Sequence, residues 1–350
     1  MTQATVEPIR AQAAIHHAYL LGLQLRISTH KGPEVMEEWM FKLFRRQHLS
    51  KFLSSFEKLG LSHEPDAIAC AKYHVLSNSI GGVPVEYMAE SKTKAWVRFR
   101  YPRWMYDGPT LCGVPIGVSR GFLRGWYAHN GVSLKNPRLG YVCVSEDMTG
   151  EFGFCGYFKE YDHDLSEEER LQFSKGELPP PFKAEDQPQP PASDWTAERL
   201  EKANRNYAME YIRNGLSELV KVIGYDETKE HASITARLIG LQYYAQTAAA
   251  LKSVDGNAAD ATHYLMQIMS GMGDDITPIS NHKTEETTSF EQTGLRIVKG
   301  LSGDERSLVL SCWKELWIGA IRSHREMLGL ECEQVNEEKL VWTVTNIRGR

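Results

Sequence analysis

The chain has no long apolar run, no closely paired cysteines and no marked excess of charge, and each absence removes a class of function. No stretch of roughly 18–20 apolar residues is present to suit a membrane span. The N-terminal segment MTQATVEPIRAQAAIHHAYLLGLQLR is interrupted by His16, His17 and Gln24 and has no small-residue cleavage site. It reads as an amphipathic helix of a soluble protein. The six cysteines, Cys70, Cys112, Cys143, Cys155, Cys312 and Cys332, lie far apart with no CxxC pair. That spacing suits reduced thiols in a cytoplasm better than a zinc framework or a disulfide scaffold. With 40 basic and 45 acidic residues and a formal net charge of −5, the chain lacks the footprint of a phosphate-backbone binder, so neither nucleic acid nor membrane is an expected partner.

Signature motifs are scarce too. There is no GxGxxG or GxxxxGK[ST] to cradle a nucleotide and no HExxH, and a serine nucleophile elbow is not expected. Proline, by contrast, is concentrated: six of the fifteen fall in GELPPPFKAEDQPQPPASD, residues 176–194. Such a segment prefers extended conformations and reads as a linker or a long strap. It separates an N-terminal domain, 1–175, from a C-terminal domain, 195–350, and 350 residues are comfortable for two cores.

Within the first half, Pro33 opens a helix whose apolar face carries Trp39, Leu43, Phe44, Phe52 and Phe56 and which ends at Gly60. A second helix runs from Glu64 to about Ile80 and stops at Gly81-Gly82. The period then changes to two, so VPVEYMAE and KAWVRFRY form a strand pair turned at Ser91 to Thr93. A helix from about Ile116 to Asn130 follows, then a hairpin, GYVCVSEDMTGEFGFCGYFKEY, turned at Asp147 to Gly150. After the linker the order recurs: helices Trp195–Ile223, Thr228–Leu251 and Ala258–Met269, strands around Thr284 to Val298, a helix Asp304–Leu328, and the strands LECEQV and KLVWTVTNI. A shift of 189 residues places His74 on His263, Leu139-Gly140 on Leu328-Gly329 and Cys143 on Cys332. Segregated helices and strand pairs imply α+β halves with helices on an antiparallel sheet, and the repeated order points to an internal duplication.

Chemistry-bearing residues concentrate between Arg120 and Asp164. On a helix continuing to Asn130, Phe122, Leu123, Trp126, His129 and Asn130 share one side, and Arg120, Arg124 and Tyr127 the other. His129 and Asn130 at the end of an apolar face suit either a cap of the last turn or a general acid-base with an orienting carboxamide. Arg120 and Arg124 have no acid within four positions, so they suit a carboxylate anchor or partners on the hairpin such as Glu146, Asp147 or Glu160. Glu160 is also a candidate acid-base partner for His129, and Cys112, in a loop before a helix, a candidate nucleophile. Tyr127 would orient a substrate, with Trp104 and Trp126 as its walls. No cofactor is predicted. A divalent metal held by His74, His129 or His163 is the basis of a metal-dependent alternative.

The second half, with ARLIGLQYYAQTAA, a tryptophan-rich helix and a closing LVWTV strand, resembles the L-2-amino-thiazoline-4-carboxylate hydrolase family and the related vinyl-reductase-type small-molecule domains. The resemblance implies an α+β small-molecule domain of hydrolytic type and carries over no site residue. The leading expectation is a cytoplasmic enzyme, hydrolase or lyase, acting on a small carboxylate-bearing or aromatic molecule. The alternatives are a small-molecule-binding or sensory protein and a metal-dependent enzyme. A homodimer is allowed.

Overall fold

Helices laid on an antiparallel sheet occur twice along the chain, as the segregated element order implies. The computed structural model describes residues 3–101, 107–149, 151–190, 196–279 and 286–348. The chain divides into an N-terminal unit, 27–200, and a C-terminal unit made of 1–26 with 201–350. The expected boundaries are corrected at both ends. The start of helix α1 (Gln3–Lys31) belongs with the C-terminal unit because its buried polar groups find partners there. Tyr19 Oη donates to the Ala232 carbonyl at 3.0 Å, and Trp313 Nε1 donates to His16 Nε2 at 3.0 Å. The segment after residue 176 falls inside the N-terminal unit.

In the N-terminal unit, α2 (Pro33–Lys58) and α3 (Asp66–Ile80) precede strands β1 (Val85–Ser91) and β2 (Lys94–Phe99). Helices α4 (Gly117–Gly125) and α5 (Asn130–Ser133) then lead to β3 (Leu139–Ser145), β4 (Cys155–Glu160) and the short β5 (Leu171–Phe173). The sheet order is β1-β2-β4-β3-β5, antiparallel except for the β3–β5 pair. Helix α4 lies close on α2 because Gly117, Gly121 and Gly125 recur every fourth residue along one stripe. A Cβ on Gly121 would lie 2.5 Å from the Glu37 carbonyl, and one on Gly125 2.7 Å from that of Phe41. Small residues in a stripe let two helix backbones approach, and here they seat α4 on α2.

Both faces of this sheet are covered. Tyr141 and Phe158 pack under Tyr127 and His74, while Met88, Trp96, Val142, Val144, Cys155 and Tyr157 form a second apolar cluster. Trp96 is fully buried in this cluster, and Arg98, half-buried, donates to the Phe152 carbonyl. The proline-rich segment acts as a strap on this sheet. Glu177 accepts from Tyr157 Oη at 3.0 Å and Lys94 Nζ at 3.4 Å. Gln187 accepts from the Tyr87 N–H at 2.9 Å and donates to the Tyr87 carbonyl at 2.8 Å. One side-chain amide thus pairs a residue of the edge strand β1 as a neighbouring strand would.

The C-terminal unit contains most of α6 (Ala197–Ile223), then α7 (Tyr225–Leu251), α8 (Ala258–Met272), β6 (Asp275–Ile279), β7 (Thr287–Thr293), α9 (Gly303–Arg322), β8 (Leu328–Asn336) and β9 (Lys339–Asn346). Asn257 and Asp260 form a reciprocal capping box that starts α8. Strand β6 begins directly after α8, earlier than the strands expected from residue 284 on, and residues 280–285 lie outside the described ones. The sheet order is β6-β7-β9-β8, the same relative order as β1-β2-β4-β3. Leu139-Gly140 opens β3 and Leu328-Gly329 opens β8. The correspondence between units is one of topology, and residue identities between them remain few. Among the described residues no helix is long and apolar enough to cross a membrane.

Candidate functional site

Helix α4 stops at Gly125, and this early end changes the faces on which the candidate residues lie. Trp126 (φ −109°, ψ −64°) interrupts the helix, a tighter 3₁₀ turn covers Tyr127 to His129, and α5 starts at Asn130. Tyr127 therefore does not follow Arg120 and Arg124 to the outside. It is 1% exposed and stacks on His74, with ring centroids 3.8 Å apart. Asn130 is fully buried, and its Nδ2 donates to His74 Nε2 at 2.9 Å rather than orienting a ligand beside His129. Tyr127 and Asn130 are thus core members, because a buried carboxamide and imidazole satisfy each other there.

His129 is half-buried, and its ring stands edge-on to that of His48 on α2, with centroids 5.1 Å apart. His48 in turn stacks on Phe52 at 4.5 Å, meets Trp126 at 5.7 Å, and its Nε2 is hydrogen-bonded to Ser133 Oγ at 2.8 Å. Burial, reinforced by the positive charges of Arg45 and Arg170, lowers the pKa of His129 to about 4. Burial, with His129 and Arg45 as further causes, takes His48 down to about 3. Both imidazoles are therefore neutral at pH 7. Arg45 is held in place by donating to the carbonyls of Gly125 and Arg124, each at 3.0 Å, where α4 ends. Three buried nitrogens of this neighbourhood, His48 Nδ1, Trp126 Nε1 and Arg170 Nη1, have no hydrogen-bond partner among the described residues.

The other candidates go elsewhere. Arg120 binds Glu146 through Nε at 2.9 Å and Nη2 at 3.2 Å, and Arg124 pairs with Glu37 at 3.0 Å. Both forks are thus engaged by carboxylates of the chain itself. Glu160 receives Arg138 at 2.7 Å instead of meeting His129. Cys112 is exposed at the end of a 3₁₀ turn, Gly108–Cys112, well before α4 begins at Gly117, so it is not seated on a helix N-terminus. Trp104 lies outside the described residues. All six cysteines are free, and burial pushes the thiol of Cys155 up to about 12. Among the described residues no three His, Cys, Asp or Glu side chains gather as a metal-holding group. His163 is exposed beside Asp162 at 2.8 Å.

Two features escape a reading of the sequence alone. His48 and Ser133 lie 85 residues apart and neither belongs to a recognisable motif. Conversely, Gly117-Val118-Ser119-Arg120-Gly121 does fit GxSxG, contrary to the expectation that no nucleophile elbow would be indicated. It is not an elbow: Ser119 sits inside α4, with a 3₁₀ turn rather than a strand before it, and donates to Asp147 Oδ2 at 2.8 Å. The glycines of the motif are those that seat α4 on α2. Compared with family models, with curated proteins and with solved structures, the chain gives no match.

Proposed function

We propose that the N-terminal unit is the catalytic part of an enzyme acting on a small carboxylate-bearing or aromatic molecule by proton transfer at His129. The observation that carries this reading is a half-open imidazole kept neutral beside two guanidinium groups, Arg45 and Arg170. A neutral imidazole can accept a proton at pH 7, and a cationic surrounding favours an anionic substrate. The two properties reinforce each other. A bound carboxylate offsets the guanidinium charges, which raises the pKa of His129 towards neutrality and makes it a better base once substrate is in place. His48 and Ser133 complete a polar edge that could relay the proton, and Trp126 supplies an aromatic wall with an indole N–H to spare. Hydrolysis or lyase-type cleavage is the reaction class we favour, since both proceed by proton transfer to and from a neutral imidazole. The free thiols suit a cytoplasmic setting.

The test is an NMR titration of the His129 ring with and without benzoate, a small aromatic carboxylate, together with turnover of His129→Ala on a panel of amides and hydroxy acids. The reading expects benzoate to raise the His129 pKa, and the variant to lose turnover while its Tm stays within a few degrees of wild type. An unmoved pKa, or wild-type turnover by the variant, removes the proposal.

A further inference from the structure

The C-terminal unit brings together two arginines with one buried carboxylate, Asp274, beside them. Arg205 on α6 and Arg296, in the turn after β7, both approach the backbone of Gly273, the residue that closes α8. A Cβ on Gly273 would lie 2.7 Å from Arg205 Nη1 and 2.9 Å from Arg296 Nε. Gly273 has φ +84°, so glycine is required there twice, for the left-handed closing turn and for the room the two guanidinium groups occupy.

What surrounds the pair is rigid. Trp342 Nε1 donates to Gln292 Oε1 at 2.7 Å, and Gln292 Nε2 donates to Asp274 Oδ2 at 2.7 Å. Asp274, 5% exposed, also accepts the backbone N–H of Arg296 at 3.0 Å. Its oxygens are thus engaged by neutral donors, and neither guanidinium forms an ion pair with it. Arg296 spends its Nε on the Gly273 carbonyl at 2.9 Å, and its own carbonyl is held by Arg213 Nη1 at 3.0 Å. The guanidinium of Arg205 has no hydrogen-bond or ion-pair partner among the described residues, and its Nε is buried. Glu201, one turn earlier on the same helix and the natural i,i+4 partner, is taken by Arg10 at 3.2 Å.

Two adjacent guanidinium groups with one buried carboxylate nearby leave an excess positive charge and a largely unused set of N–H donors. Like charges held this close are costly unless something offsets them. We propose that Arg205 and Arg296 form a binding site for an oxyanion, the phosphate or carboxylate group of a small molecule, gripped by the Arg205 fork against a fixed Arg296. Both anions present planar or tetrahedral oxygens that a guanidinium fork recognises bidentately. The site lies in a different unit from His129 and does not depend on the reading of that residue.

Thermal unfolding and calorimetric binding of the full chain with inorganic phosphate and with malonate, each against sodium chloride at matched ionic strength, test the proposal. A saturable rise in Tm with phosphate, malonate or both supports it and identifies the anion class, provided Arg205→Gln weakens that effect about tenfold, the size expected for losing a charge-assisted hydrogen-bond pair. Arg205→Lys, which keeps the charge and loses the fork, is the second variant and should also weaken the effect. No rise above the chloride control in wild type, or an unchanged rise in both variants, overturns it.

Discussion

Gly121→Ala sets two opposed effects against each other, and the structure says which one wins. Gly121 has ordinary helical geometry within α4, so by intrinsic propensity alone alanine would stabilise the helix by about 1 kcal/mol. The new methyl, however, would lie 2.5 Å from the Glu37 carbonyl oxygen and 2.7 Å from the Met40 Cβ, both on α2. Neither is the end of a flexible side chain, so the helices themselves must separate. Overpacking of this kind costs about 1–3 kcal/mol, and with rigid backbone on one side the upper part of the range applies, leaving a net loss of about 1–2 kcal/mol. The same separation would move the chain that follows α4 away from His48, whose ring meets that of His129 at 5.1 Å. Urea unfolding gives the stability change, and the His129 ring shift in NMR gives the displacement. A variant more stable than wild type, with His129 undisturbed, would refute the claim that the glycine stripe sets the distance between the two imidazoles.

Two further outcomes follow from charge. Arg120→Ala should lower stability by about 1–3 kcal/mol, because Glu146 is 2% exposed and loses its guanidinium, while the half-exposed arginine limits the loss. It should leave turnover and KM near wild type, since the fork is engaged by Glu146; a large rise in KM would restore Arg120 as a substrate anchor. Acid sensitivity should be marked as well. His16 and His48 have pKa values near 4 and 3 in the folded protein, both depressed chiefly by burial, against 6.5 in the unfolded chain. The unfolded chain therefore binds more protons, so the stability these residues provide is whole above pH 6.5 and lost as pH falls towards the folded values, at about 1.4 kcal/mol per unit for each ring. His17, His74 and His129 are depressed in the same way, so stability measured by denaturant between pH 7 and 5 should fall at least this steeply, and His48→Gln should lessen the slope by one ring's share; an identical slope in the variant would contradict the burial argument.

Periodicity located most elements. The strand pair turned near Ser91 to Thr93, the hairpin around Asp147 and the helices between residues 196 and 272 lie where alternation or 3.6-residue spacing puts them, because those patterns record which side of an element meets the core, whereas the helix expected over Asp304–Leu328 ends at Arg322 and Leu328 opens β8. Helix phase failed at one step, Trp126. Carrying a uniform 100° rotation past Gly125 placed Tyr127 with the arginines and Asn130 with His129. A 3₁₀ turn rotates each residue further, and burial against His74 and Phe158 outweighs the local preference. Cysteine and proline usage were informative in different ways: all six thiols are free, whereas the prolines mark a strap along a sheet edge rather than a free linker.

By itself the sequence determined the α+β class and the division into two cores, since these depend on local patterning and composition. Tertiary structure decided the partners. Arg120 with Glu146, His48 with Ser133, Gln187 with Tyr87, and Arg205 beside Arg296 are all contacts between residues far apart in the chain. Whether an arginine is an anchor or half of an ion pair, and whether a histidine is a base or a core ring, depends on the charge and burial that the fold brings to it.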